Sequence, residues 1–150
     1  MELVTETLTP KILEAELPRI VEWLRARSVR ALQITFGVGS NAPMNELWTP
    51  IPVNLEDFAA FVQDAINSGR FTFGESDLHI YDSATLVRDS DRTFHCNYPA
   101  LTFSFCHESD LHFAAQDVEL VAAVKADWIS RGYKGYESEE VHPRDWKPFG

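Results

Sequence analysis

Three segments of the chain carry apolar residues at the three- and four-residue spacing of a helix that is buried along one side. The first follows Thr9-Pro10, where a capping hydroxyl precedes a proline whose missing N–H costs nothing at a helix start. Pro18 interrupts this segment, which predicts one kinked helix or two short ones. The helices are predicted near residues 10–27, 54–67 and 117–131, the last two capped by Asn54 and Asp117 and ended by Gly69 and Gly132.

Short runs that alternate apolar and polar residues predict strands in the rest of the chain. The candidates are Arg30–Phe36, Arg70–Phe73, Asp77–Asp82, Thr85–Arg88, Arg92–Tyr98, Leu101–Cys106 and Asp110–Ala114. We expect Arg92–Tyr98 to pair with Leu101–Cys106 around a turn at Pro99. Residues 37–53 hold several Gly and Pro without a sustained period and predict a long loop, and the tail from Tyr133 predicts coil.

These elements predict a single α+β domain over residues 1–150, with a mainly antiparallel sheet of about five to seven strands and helices packed on one face. A chain of 150 residues with 45% apolar residues is long enough to bury a sizeable core without disulfides or a metal ion. Its two cysteines are too few for a disulfide framework and fit a reducing compartment.

One phrase occurs twice in the strand-rich part of the chain. Residues 71–80 (FTFGESDLHI) match residues 103–113 (FSFCHESDLHF) with one inserted residue. Because strand side chains alternate between faces, the Phe and Leu residues of both copies are predicted to face the helices. Asp77, His79, Asp110 and His112 then lie on the opposite, polar face, and the expected hairpin adds His95 to them. This polar face is the predicted site.

The two Asp-x-His pairs suggest a metal site as one interpretation. The spacing puts both side chains of a pair on one face, so Asp77, His79, Asp110 and His112 would offer oxygen and nitrogen ligands to zinc or a similar divalent ion. In the other interpretation, each Glu-Ser-Asp is a turn with local side-chain caps, and each His lies on a wet sheet surface. Apart from such an ion, we predict no cofactor.

Two other patterns suggest chemistry at first sight. Cys and His are adjacent at His95-Cys96 and at Cys106-His107, but neighbours on a strand point to opposite faces, so we expect no side-chain contact within either pair. The Gly-Val-Gly-Ser segment at residues 37–40 follows a strand, as in a dinucleotide fingerprint, yet the prolines after it leave little room for the required helix. We predict a flexible loop there, and no catalytic residues.

Charge narrows the classes of partner. The sequence has 23 Asp and Glu against 13 Lys and Arg, for a formal net charge of −10. Such a charge repels phosphate backbones and anionic membranes, so we expect no nucleic acid and no membrane as partner, while a basic protein is favoured. The first residues do not resemble a signal peptide, and no apolar run approaches the roughly 20 residues that span a bilayer, so a cytoplasmic location is expected.

Three functions remain as hypotheses. In size and acidity the chain resembles the small bacterial immunity proteins that neutralise nuclease toxins, which favours a non-enzymatic binding protein, such as an inhibitor, that acts on a basic partner. The expected partner-binding residues are His79, Tyr81, His95, His112 and Trp48, the last as an aromatic anchor if it is exposed. The alternatives are a metal-binding domain or metal-dependent hydrolase that uses the Asp-x-His pairs, and a small-ligand site between residues 37–53 and the sheet. The sequence leaves the oligomeric state open.

Overall fold

A computed structural model of the chain describes residues 1–82, 86–88, 94–96, 100–139 and 146–150. Its helices are α1 (Pro10–Ala26), α2 (Leu55–Asn67) and α3 (Val118–Ser130), and each end lies within one residue of the predicted bound. Thr9 caps α1 by accepting a hydrogen bond from the backbone N–H of Ile12. The helix continues through Pro18 as one element.

Within the described residues, eight strands form one sheet and two form a separate antiparallel pair. The strands are β1 (Glu2–Thr5), β2 (Ala31–Phe36), β3 (Ile51–Asn54), β4 (Leu78–Asp82), β5 (Leu86–Arg88), β6 (Phe94–Cys96), β7 (Leu101–Phe105), β8 (Leu111–Ala115), β9 (Gly135–Ser138) and β10 (Lys147–Phe149). The order across the large sheet is β10-β9-β1-β8-β7-β4-β2-β3, and all its neighbouring strands are antiparallel.

The predicted α+β class with an antiparallel sheet is confirmed, and the sheet has eight strands instead of five to seven. The extra strands come from segments for which no strand was predicted: β1 near the N-terminus, β3 at the end of the predicted loop and up to Asn54, and β9 and β10 in the tail. Each has only three or four residues, too few to show a clear alternation. The partners of β1 lie far away in the chain, in β8 and β9, so only the assembled sheet defines this strand.

Two strand predictions were wrong. Arg70–Phe73 forms a turn-rich segment whose alternating Phe71 and Phe73 are buried without strand pairing. The expected hairpin between Arg92–Tyr98 and Leu101–Cys106 does not form, because β7 is paired on both edges, with β4 and with β8. Strand β6 pairs with β5 instead.

The core lies between the helices and one face of the large sheet. Trp23 of α1 meets the rings of Phe103 and Phe113 edge-on, at centroid distances of 5.4 and 5.7 Å. Phe61 of α2 stacks on Phe36 at 5.9 Å. These contacts place the apolar positions of the strands under the helices, as the alternation predicted, and turn the opposite face of the sheet away from them. No helix among the described residues is long and apolar enough to cross a membrane.

Candidate functional site

The sheet face turned away from the helices, here called the outer face, carries a row of polar side chains. Four of them are aligned across neighbouring strands: Thr35 opposite His79, His79 opposite Ser104, and Ser104 opposite His112. In an antiparallel sheet such opposite positions bring Cβ atoms within about 5.5 Å. Two histidines on separate strands are therefore held on either side of one serine.

The two copies of the repeated phrase lie next to each other. Asp77 of the first copy is buried, and its Oδ1 accepts hydrogen bonds from both the backbone N–H and the Nδ1 of His107, each at 2.7 Å. The hydrogen bond to Asp77 also raises the pKa of His107. At Gly74, with φ +83°, a Cβ would come within 2.4 Å of the Ser109 hydroxyl, so only glycine fits where the two turns meet.

In the first copy, His79 is a half-buried imidazole between three neighbours. Its Nδ1 lies 2.8 Å from the hydroxyl of Ser104, and Trp48 stacks on its ring at 5.7 Å and an interplanar angle of 22°. Burial lowers the pKa of His79 more than the nearby Asp77 raises it, so the neutral ring is favoured near pH 7. Its Nε2 is 3.8 Å from Asp77 Oδ2, too far for a hydrogen bond.

Trp48 lies over His79 in an uncommon conformation. The residue is 58% exposed and has a φ of +59°, the left-handed region that a bulky side chain rarely adopts. At Gly37 a Cβ would meet the Trp48 ring at 2.7 Å, so the glycine makes room for the indole. At Gly39 a Cβ would lie 2.2 Å from the Glu75 carbonyl oxygen. Gly37 and Gly39, which resembled part of a nucleotide fingerprint, therefore let the loop pack closely against the Trp48 ring and against the turn at Glu75.

In the second copy, His112 lies between two carboxylates. Its Nδ1 is 3.2 Å from Glu2 Oε1 in a hydrogen bond, and its Nε2 is 2.9 Å from Asp110 Oδ1. Nε2 and Oδ1 are both buried and face each other as an ion pair, although they are not aligned for a hydrogen bond. Burial by itself lowers the pKa of His112, but Asp110, Cys106 and Glu2 together raise it to about 11.

Cys106 is the member of the site that sequence reasoning missed. Its sulfur lies within 4.8 Å of donor atoms from Asp110 and His112, and also within 4.8 Å of donor atoms from Asp77 and His107. The prediction that Cys106 and His107 cannot meet was wrong, because their Sγ and Nδ1 lie 3.7 Å apart. Strand β7 ends at Phe105, so strand alternation no longer separates the pair.

The structure divides the four predicted metal ligands. Among the described residues, two groups bring three donor atoms together: Cys106 with Asp110 and His112, and Cys106 with Asp77 and His107. His79 belongs to neither group. Of the expected partner-binding residues, Trp48, His79, Tyr81 and His112 are placed on the outer face or against it, whereas the side chain of His95 lies outside the described part of the chain. The expected small-ligand site stays a prediction.

Comparison with known proteins assigns no family to the chain. No family model matches it, and neither the curated proteins nor the solved structures contain a match.

Proposed function

We propose that this protein is a non-enzymatic binding protein that uses its outer face to bind a basic protein. The observation that carries the proposal is the placement of Trp48, which is exposed, held in a left-handed backbone conformation, and stacked on His79. A left-handed conformation in a bulky residue costs about 1–3 kcal/mol and concentrates at functional sites. Exposed tryptophans are also the residues that most often dominate binding energy.

The charge of the outer face supports a basic partner. None of the outward-facing residues of the five strands β1, β2, β4, β7 and β8 is Lys or Arg. Carboxylates of Glu2, Asp77 and Asp110 lie on or beside the same face. The positive charge of His112, whose pKa is about 11, offsets one of them, and His79 favours its neutral form. Such a face attracts a positively charged protein surface and repels phosphate.

An inhibitor of a basic enzyme is the specific form of this proposal. A small protein with a net charge of −10 and a rigid face with an aromatic anchor has the character needed to cover a cationic active site. The size and acidity that the chain shares with immunity proteins favour this form. On this proposal, the histidines and carboxylates of the outer face contact the partner and catalyse nothing.

The proposal is tested by comparing the partner affinity of two alanine variants, each of which shortens an exposed apolar side chain, on opposite sides of the molecule. Trp48→Ala removes the anchor, and Ile129→Ala, at a 43% exposed position of α3, is the control. Proteins captured from a native extract at low salt are identified, and the Kd of the best-captured purified protein is measured against both variants. We expect a positively charged partner, weaker binding at higher salt, and a loss of at least roughly 30-fold with Trp48→Ala alone.

Two results would contradict the proposal. One is a set of captured proteins without a positively charged member that depends on Trp48. The other is an equal loss of affinity with Ile129→Ala, which would place the interface on the helices.

A further inference from the structure

The second copy of the repeated phrase contains a buried ion pair whose facing atoms are not aligned for a hydrogen bond. Asp110 Oδ1 and His112 Nε2 lie 2.9 Å apart, but their geometry does not make a hydrogen bond. Once Nε2 has lost its proton, the oxygen and the nitrogen both offer lone pairs to the same space. A cation bound there would replace the proton between them.

The sulfur of Cys106 is a third possible metal ligand beside this pair. Cys106 Sγ lies within 4.8 Å of both the carboxylate oxygen of Asp110 and the ring nitrogen of His112. Zinc in proteins is bound by sulfur, nitrogen and oxygen atoms at bond lengths of about 2.0–2.3 Å. In a tetrahedral site, these bond lengths place the ligand atoms about 3.3–3.7 Å from one another. Small side-chain rotations would therefore bring the three atoms to zinc-ligand distances.

Glu2 supplies the partner that a metal-binding histidine usually has. Its Oε1 accepts a hydrogen bond from His112 Nδ1 at 3.2 Å. A carboxylate on Nδ1 keeps the proton on that nitrogen, points Nε2 away as the ligand atom, and makes it more basic. Glu2 reaches this position because β1 pairs with β8, with Val4 opposite His112.

We propose that Cys106, Asp110 and His112 form a binding site for one zinc ion, with Glu2 as the residue that orients His112. Binding displaces the thiol proton of Cys106 and the Nε2 proton of His112 to solvent, because only the thiolate and the unprotonated nitrogen donate an electron pair. Three protein ligands leave the fourth tetrahedral position to a water molecule. The site needs no protein partner and stands whether or not the outer face binds one.

The neighbouring group of Asp77, Cys106 and His107 serves as the internal comparison. Asp77 Oδ1 already accepts two hydrogen bonds from His107, and His107 Nδ1 is engaged in one of them. The donor atoms of this group are therefore satisfied without an ion. Cys106 is shared, but the ion is placed on the side where the oxygen and nitrogen form no aligned hydrogen bond.

The test uses the full chain, stripped with a chelator and titrated first with zinc alone and then with cobalt as a spectroscopic probe. We expect one ion per chain by calorimetry, and a thiolate-to-cobalt charge-transfer absorption that disappears in Cys106→Ser. Asp110→Asn and His112→Asn should weaken zinc binding by more than tenfold, and Glu2→Gln by about 10- to 100-fold. The controls Asp77→Asn and His107→Gln should keep the wild-type affinity.

Each variant is first shown to unfold cooperatively. If Asp110→Asn does not fold, the loss of zinc affinity in Glu2→Gln tests the role of His112 instead. The proposal is overturned if the wild-type chain binds no zinc, if Cys106→Ser keeps the charge-transfer band, or if Asp77→Asn loses as much affinity as Asp110→Asn. If the wild-type chain binds no zinc, His112 is an imidazolium ion held by two carboxylates and not a metal ligand.

Discussion

The two copies of Glu-Ser-Asp-Leu-His have one sequence and two different environments. In the first, Asp77 is satisfied by the second turn, and burial lowers the pKa of His79. In the second, Asp110 Oδ1 faces His112 in an ion pair that is not an aligned hydrogen bond, and the pKa of His112 rises to about 11. The first copy therefore joins two turns, while the second presents donor atoms beside Cys106. A short motif acquires its chemistry from the neighbours that the fold brings to it.

The largest effect should come from the aromatic residues that the two copies share. Phe73 of the first copy and Phe105 of the second meet edge-on at 5.3 Å, but Phe105 is fully buried in a strand whereas Phe73 lies in a turn. We expect Phe105→Ala to lower the free energy of unfolding by about 3–5 kcal/mol, and Phe73→Ala by less, because a site near the surface collapses more easily. Urea unfolding measures both, and equal losses would show that the copies contribute alike to the core.

The effect of zinc on stability should then distinguish the two copies of the phrase. At a zinc concentration 100 times the Kd, binding to the native state alone adds about 2.7 kcal/mol to stability, so the wild-type melting temperature should rise. Asp110→Asn should abolish this rise and Asp77→Asn should keep it, since Asp110 Oδ1 makes no hydrogen bond that an ion would have to break, whereas Asp77 Oδ1 accepts two. Scanning calorimetry with and without zinc makes the measurement. The same rise in all three proteins would mean that the ion binds elsewhere.

Asp77 should matter for stability in the absence of any ion. Asp77→Ala removes the acceptor of two hydrogen bonds and should cost about 1.5–3 kcal/mol, the range for hydrogen bonds to a charged group. His107→Ala removes only the ring hydrogen bond and leaves the backbone one, so its cost should be smaller. Chemical denaturation of both variants tests this order, and a larger cost for His107→Ala would contradict the assignment of Asp77 as the link between the turns.

The smallest change in stability is expected for a substitution at Gly37, which should still change the tryptophan fluorescence. A methyl group there would lie 2.7 Å from the ring of Trp48, and the exposed indole can swing away from His79 to avoid it. Gly37→Ala should therefore cost less than about 1 kcal/mol and still shift the tryptophan emission and weaken partner binding. Unchanged fluorescence would show that Trp48 does not depend on this contact.

Much of the fold follows from local pattern. The helical spacing and the caps Thr9 and Asp117 located the helices, and alternation assigned the correct faces to Leu78, His79, Leu111 and His112. These properties depend on residues close together in the chain. The short strands β1, β3, β9 and β10 have no such local signal, and β1 pairs with two strands that are distant in the chain, β8 and β9.

The candidate site shows the same division. The sequence by itself placed His79 and His112 on the polar face of the sheet, because strand alternation leaves no other placement for them. Asp77 and Asp110, which were predicted to face outward with them, precede strands β4 and β8 and are buried. Only the tertiary structure decided that Glu2 pairs with His112, that Trp48 covers His79, and that Cys106 lies beside both turns. The contact between Glu2 and His112 joins residues 110 positions apart, and for such a contact a single sequence carries no periodic signal. Cys106 is close to Asp110 and His112 in the chain, but the turn between them has no periodic pattern that would show which side chains meet.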